Sequence, residues 1–154
     1  MKIQHYITVI FIALLSVSLA ACSDDDKDSM VWTVVSNTDP ECIEVVNNTS
    51  ADFDAPSLIW VRANYKGGDL VLRCDNHPIA FSLIGPNDSY ANPDCRFTLS
   101  KVDDNTLLIH FDEDASGKPE CSDQITITNS DRKPAVCNTF LNITRTFGEL
   151  MPTE

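Results

Sequence analysis

From residue 30 onward the apolar positions recur mainly at every second residue, in short runs broken by Asn, Asp, Gly, Pro and Ser. Successive side chains on an extended backbone point to opposite sides, so this period marks strands that bury one face and wet the other. No window holds the 3.6-residue stripe of an amphipathic helix. Strands are predicted over Val31 to Ser36, Cys42 to Val46, Leu58 to Tyr65, Asp69 to Cys74, Ile79 to Ile84, Arg96 to Val102, Thr106 to Asp112, Gln124 to Asn129 and Phe140 to Arg145. The alternation assigns the core side: Leu70, Leu72 and Cys74; Ile79, Phe81 and Leu83; Phe97 and Leu99; Leu107, Ile109 and Phe111; Ile125 and Ile127; Leu141 and Ile143. Two connections read as hairpin turns. Lys66-Gly67-Gly68 is the firmer, because Gly takes a positive φ without strain, whereas Asp103-Asp104-Asn105 reaches it at more cost. Residues 30–154 are long enough for one domain and short for two. The expected class is all-β, a single antiparallel β-sandwich of about seven to nine strands with no internal repeat.

The first residues follow another pattern. One positive charge, Lys2, precedes an uncharged stretch from Ile7 to Ala21 that ends in small residues. A bilayer-spanning helix needs about 20 apolar residues, and this run of about fifteen is shorter, so 1–21 is read as a cleaved signal peptide. Leu19-Ala20-Ala21-Cys22 resembles the lipobox of bacterial lipoproteins. The resemblance implies a diacylglycerol on the Cys22 thiol and an acyl chain on its amino group. Each buried methylene adds about 0.8 kcal/mol, so such an anchor is close to permanent. The plain alternative is a secreted chain whose Cys22 joins another cysteine. Residues 22–29, with Asp24, Asp25, Asp26 and Asp28, offer nothing apolar to bury and are read as an acidic disordered tether. A Ser and several acids after the lipidated Cys is similar to Bacteroidota-type surface lipoproteins, which implies an outer-membrane protein facing the cell exterior. Asp28-Ser29-Met30 resembles the O-glycosylation site of that group, with Ser29 as the acceptor.

Within the domain, several pieces together resemble the Ig-like BACON domains of Bacteroidota surface proteins. They are Trp32 in an early strand, Gly67-Gly68 before Leu70-Val71-Leu72, the strand Thr106 to Phe111, and the late pair Gln124 to Thr128 and Leu141 to Thr144. The resemblance implies an Ig-like sandwich that binds carbohydrate or serves as a spacer. The chain departs from the family in its last strand, where Thr144-Arg145-Thr146 stands in place of a terminal Gln, and in carrying five cysteines after Cys22.

The formal charge of −12 makes nucleic acid and anionic headgroups poor partners. The membrane enters only through the lipid anchor. In an oxidising compartment Cys42, Cys74, Cys95, Cys121 and Cys137 are expected to form two disulfides with one thiol left over, and spacing does not choose the pairs.

Three constellations suggest chemistry. Cys74 and His77 lie three residues apart near a strand end, as a metal or thiol-activating pair would, but zinc needs three or four ligands and no second pair follows. His110 alternates away from the core, and there is no Gly-x-Ser-x-Gly elbow. The segment from Asp112 to Asp123 puts oxygen-bearing Asp112, Asp114, Ser116, Glu120 and Asp123 at the spacing of a calcium loop, with Gly117 at its sixth position. Against this, its flanks read as strands, and an acidic connection is the simpler account. Trp32, Trp60, Tyr65 and Tyr90 could stack on sugar rings; Tyr65 and Tyr90 lead because both sit beside turn residues. No triad, paired carboxylates or cofactor motif assembles. The expected function is therefore non-catalytic: a binding module for a glycan or an envelope protein. The alternatives are an accessory or spacer subunit and, further off, a small hydrolase working through Cys74 with His77 or His110.

Overall fold

The computed structural model describes residues 29–49, 56–81, 89–133 and 135–148. The signal peptide, Cys22, the tether up to residue 28 and Leu83 lie outside the described residues. Within them the chain forms ten strands and no helix: β1 (Trp32–Asn37), β2 (Ile43–Asn48), β3 (Ser57–Ala63), β4 (Gly68–Cys74), β5 (Ile79–Phe81), β6 (Ser89–Asn92), β7 (Phe97–Lys101), β8 (Thr106–Phe111), β9 (Cys121–Asn129) and β10 (Asn138–Arg145). Each segment expected from alternation contains a strand, Ile79 to Ile84 as far as Phe81, beyond which it lies outside the described residues. β6 is the addition, since Ser-Tyr-Ala-Asn is too short and too polar to carry a period.

The strands make two sheets of five. The first runs β1-β4-β8-β7-β6 and the second β2-β3-β10-β9-β5. Every pairing is antiparallel except β3 with β10, which run parallel from Thr139 opposite Ser57 to Arg145 opposite Ala63. The purely antiparallel expectation is corrected there. A parallel pair needs a long crossover, which alternation cannot reveal, and most of the chain supplies it.

The two expected hairpins have opposite outcomes. Asp103-Asp104-Asn105 does close a hairpin between β7 and β8, with Val102 N donating to Thr106 O at 2.9 Å. Lys66-Gly67-Gly68 is not a hairpin, because β3 lies in the second sheet and β4 in the first. The glycines are still needed. Gly67 has φ 69° and Gly68 φ 132°, and a Cβ on Gly67 would collide with the Phe111 carbonyl oxygen. The positive φ values turn a corner between sheets.

Each sheet buries one face in a shared core. Ile59, Val61, Leu70, Leu72, Leu107, Ile109, Ile125, Ile127, Leu141 and Ile143 are at most 1% exposed. Each such burial is worth roughly 1.5–3 kcal/mol, which drives the association. One charged group shares this interior. The alternation of β10 turns Thr139, Leu141, Ile143 and Arg145 inward, and Arg145 is wholly buried. Its Nη2 donates to the carbonyls of Asp112 and, at 3.3 Å, Tyr65, and the guanidinium lies over the Phe111 and Phe147 rings. It thereby ties β10 to both the β3–β4 corner and the β8–β9 crossover.

Candidate functional site

The outward residues of β2, β3, β10 and β9 fall into three rows across the second sheet. Register gives Glu44–Arg62–Thr144–Ser122, then Val46–Trp60–Asn142–Gln124, then Asn48–Leu58–Phe140–Thr126. Strands stand about 4.8 Å apart, so each row is about 14 Å long. In the middle row Val46 is 60% exposed and Trp60 40%, and beside them Gln124 Nε2 donates to Asn142 Oδ1 at 2.7 Å. The only charges on this grid, Glu44 and Arg62, pair with each other at 3.5 Å. The result is a surface with Val46, Trp60 and Leu58 on the β2–β3 side, bordered by Asn48 and the Glu44–Arg62 pair, and with amides and hydroxyls around Phe140 on the β10–β9 side. An indole held by a strand and flanked by amides can stack on the apolar face of a ring and hydrogen-bond its substituents.

The other aromatics are engaged elsewhere. Trp32 is 3% exposed, and its Nε1 donates to Thr139 Oγ1 at 2.8 Å across the core. Tyr90 is half-buried on β6, packs against Phe97, and donates its hydroxyl to Asp123 Oδ2 at 2.6 Å. That bond raises the Tyr90 hydroxyl above its ordinary value. Tyr65 is half-buried at the corner, its carbonyl taking the Asp114 amide and Arg145. In the sequence Tyr65 and Tyr90 stand ahead of Trp60 as candidates because they adjoin turns. The signal that could have found Trp60 is parity: it alternates with Ile59 and Val61, which must face inward.

The expected calcium ligands do not converge. Asp112 faces His110 and Arg96, Asp114 faces Lys118 at 3.2 Å and accepts from Ser116 N, and Asp123 turns to Tyr90 and Asn92. Residues 112–120 are an irregular crossover between sheets, and two of its acids are taken up by a cation, with Asp112 and Asp114 both facing Arg96. Among the described residues no three His, Cys, Asp or Glu side chains group as metal ligands.

Nor do the cysteines match the expected two bridges. Cys95 and Cys121 form one disulfide, while Cys42, Cys74 and Cys137 stand as buried thiols. Cys74 ends β4 on its inward side, and Cys42 and Cys137 are buried just ahead of β2 and β10, surroundings in which Cys behaves as a small apolar residue. The bridge joins the β6–β7 turn of the first sheet to the start of β9 in the second. Asp123, two residues on, adds a polar strut: Tyr90 and Asn92 both donate to its Oδ2 at 2.6 Å. Burial works to raise the Asp123 carboxyl, but these bonds outweigh it and hold the group below its usual range.

The Cys74 and His77 pair is split. The Cys74 thiol donates to Asn76 Oδ1 at 3.4 Å, and His77 Nδ1 lies 3.2 Å from Asp131 Oδ2. Burial pushes the Cys74 thiol up, the reverse of what a nucleophile needs. An open groove of about 500 Å³ beside it, lined by Arg73, Asp75, Asp103 and Asn105 among others, is satisfied internally. Asp75 accepts from Thr33 and Arg73, Asp103 from the Asn105 amide, and Asn105 Nδ2 donates to the Cys74 and His77 carbonyls. Ser29, the sugar acceptor expected from sequence, is 4% exposed, so attachment there would have to precede folding.

No protein-family model, curated protein or solved structure matches this chain.

Proposed function

We propose that the chain is an exported lipoprotein whose domain is an Ig-like β-sandwich acting as a non-catalytic binding module, with a glycan as the ligand and the outer face of the second sheet as the site. Cleavage after Ala21 and acylation of Cys22 would anchor it to the outer membrane, facing outward, with the acidic tether as spacer. One observation carries the binding role: Trp60 is 40% exposed on a central strand, beside an ordered amide pair, on a face without unpaired charge. An exposed Trp held by a sheet loses little entropy when a ring stacks on it.

Trp60→Ala tests the site. Binding of the mature protein to the best ligand on a glycan array should fall at least about tenfold, equivalent to about 1.4 kcal/mol, while the melting temperature holds. A folded protein that binds no glycan, or a Trp60→Ala variant that binds as well as wild type, would sink this assignment. Mass spectrometry of the native material tests the address separately: an intact Met1 or an unmodified Cys22 would remove it.

A further inference from the structure

The amides next to Trp60 say which glycans the face would take. We propose that Gln124 and Asn142 form the specificity element of the site, reading two neighbouring hydroxyls on an uncharged sugar stacked on Trp60, with the glycan chain lying across the strands. This rests on the glycan-binding role assigned above to the same face.

Trp60, Asn142 and Gln124 occupy consecutive strands β3, β10 and β9 in one register row, so they stand in line at strand spacing. The hydrogen bond from Gln124 Nε2 to Asn142 Oδ1 at 2.7 Å uses one donor and one acceptor. It leaves Gln124 Oε1 as an acceptor and Asn142 Nδ2 as a donor whose contact to the Phe140 carbonyl is long, at 3.5 Å. Each amide nitrogen carries two N–H groups, so Gln124 Nε2 keeps one as well, and the Phe140 carbonyl beside Asn142 Nδ2 favours this orientation over the turned one, which would oppose two oxygens. A hydroxyl both donates and accepts, and two adjacent hydroxyls complete such a pair together.

Carboxylate and sulfate groups only accept, so they can use the remaining N–H groups but leave Gln124 Oε1 without the donor that a hydroxyl supplies. The chain's charge of −12 works against anionic polymers in the same direction. The face itself is neutral, because Glu44 and Arg62 cancel at 3.5 Å. The row then fixes the direction of the chain. Apolar Val46 extends it past Trp60 on one side and Gln124 ends it on the other, a path of about 14 Å running across the strands. The next row adds hydroxyls from Thr144 and Ser122, which lie 3.3 Å apart.

The test uses the mature protein and its Trp60→Ala, Gln124→Ala and Asn142→Ala variants, each checked for its circular dichroism. The probes are neutral β-glucan, α-mannan and galactan, and acidic polygalacturonate and chondroitin sulfate. The expected result is binding to at least one neutral polymer, insensitive to added salt, lost about tenfold in Trp60→Ala. Either amide variant should weaken it about three- to tenfold and, unlike a merely structural defect, flatten the preference between glucan and mannan. Neutral-glycan binding that needs Trp60 but is unchanged in both amide variants overturns the amide reading and leaves the module standing. Preference for the acidic polymers overturns the charge argument. If no polymer binds and a photocrosslinker at position 60 captures an envelope protein in intact cells, both this inference and the glycan role fall together.

Discussion

On the outer side of the first sheet, Asp69, His110 and Asp112 lock into a chain of contacts, with His110 Nδ1 2.6 Å from Asp69 and Nε2 3.4 Å from Asp112, and Arg96 facing Asp112 beyond. On the outer side of the second, Val46, Trp60, Asn142 and Gln124 stand in a row whose two amides bond each other and whose apolar members stay exposed, Val46 at 60% and Trp60 at 40%. Both faces arise from the same alternation, and both lie over the same core. Folding constrains inward positions closely and outward ones loosely, so the outward residues are where the sheets are free to differ. The charges of the first face satisfy one another, and the second face keeps its capacity for a ligand.

That contrast supposes a single scaffold beneath both faces, and the largest effect should come from breaking it at Arg145. Arg145→Ala removes the group that ties two crossovers to β10, strips packing from Phe111 and Phe147, and leaves the Asp112 carbonyl without its donor, while the Tyr65 carbonyl keeps the Asp114 amide. The orphaned carbonyl costs about 1–3 kcal/mol and the space left by a large buried side chain about 2–5 kcal/mol, while losing a buried cation returns part of that, so a net loss of about 3 kcal/mol is expected in urea. Trp emission and circular dichroism should shift together. Transitions that separate would mean that the faces do not share one cooperative unit.

Arg145 also marks what the sequence makes legible. Parity along Leu141, Ile143 and Arg145 predicts its inward direction, yet an exposed chain end is the usual place for an Arg, and only the two distant carbonyls explain it. The strands and core sides were readable because period two is a local signal. The sheet to which each strand belongs is a non-local choice: Gly67-Gly68 announces a turn and says nothing of the sheets on either side. The disulfide was open for the same reason, since Cys95 and Cys121 meet only after β7 and β8 are folded between them. The outward side of Trp60 is legible from its alternation with Ile59 and Val61, but that it stays 40% exposed depends on what packs over the sheet, which is again non-local.

Next in size is the bridge. Cys95 and Cys121 are 26 residues apart, and closing a loop of that length restrains the unfolded chain by about 3 kcal/mol. Reduction should lower the urea midpoint accordingly and loosen the edge at β6, while the β2–β3 side, where Trp60 sits, keeps its hydrogen-exchange protection. Equal loss of protection at Trp60 and Tyr90 would show that the second face depends on the strut as much as the first.

Acid should act at the same edge more gently. The Asp123 carboxyl is held below its usual range by Tyr90 and Asn92, so it contributes stability above the unfolded value near 3.9 and loses it as the pH falls through the lower folded value. Asp75, Asp114 and Asp131 are also held low and share the acid limb. Asp123→Asn should therefore flatten the fall in stability below about pH 4 without abolishing it. An unchanged acid limb would mean that the strut does not titrate with folding.

The smallest effect should come from His110→Ala on the charged face. Its side chain is 47% exposed, and polar or ionic contacts at exposed positions are worth less than about 1 kcal/mol because water competes for them. Loss of His110 leaves Asp69 and Asp112 in water, where they are already well hydrated, and Arg96 still faces Asp112. Stability should move by about a few tenths of a kcal/mol. Binding through Trp60 should not move at all, because the two residues lie on opposite outer faces. A drop in binding on His110→Ala with Trp60→Ala silent would reverse the comparison, making the charged face the working surface and the apolar row mere packing.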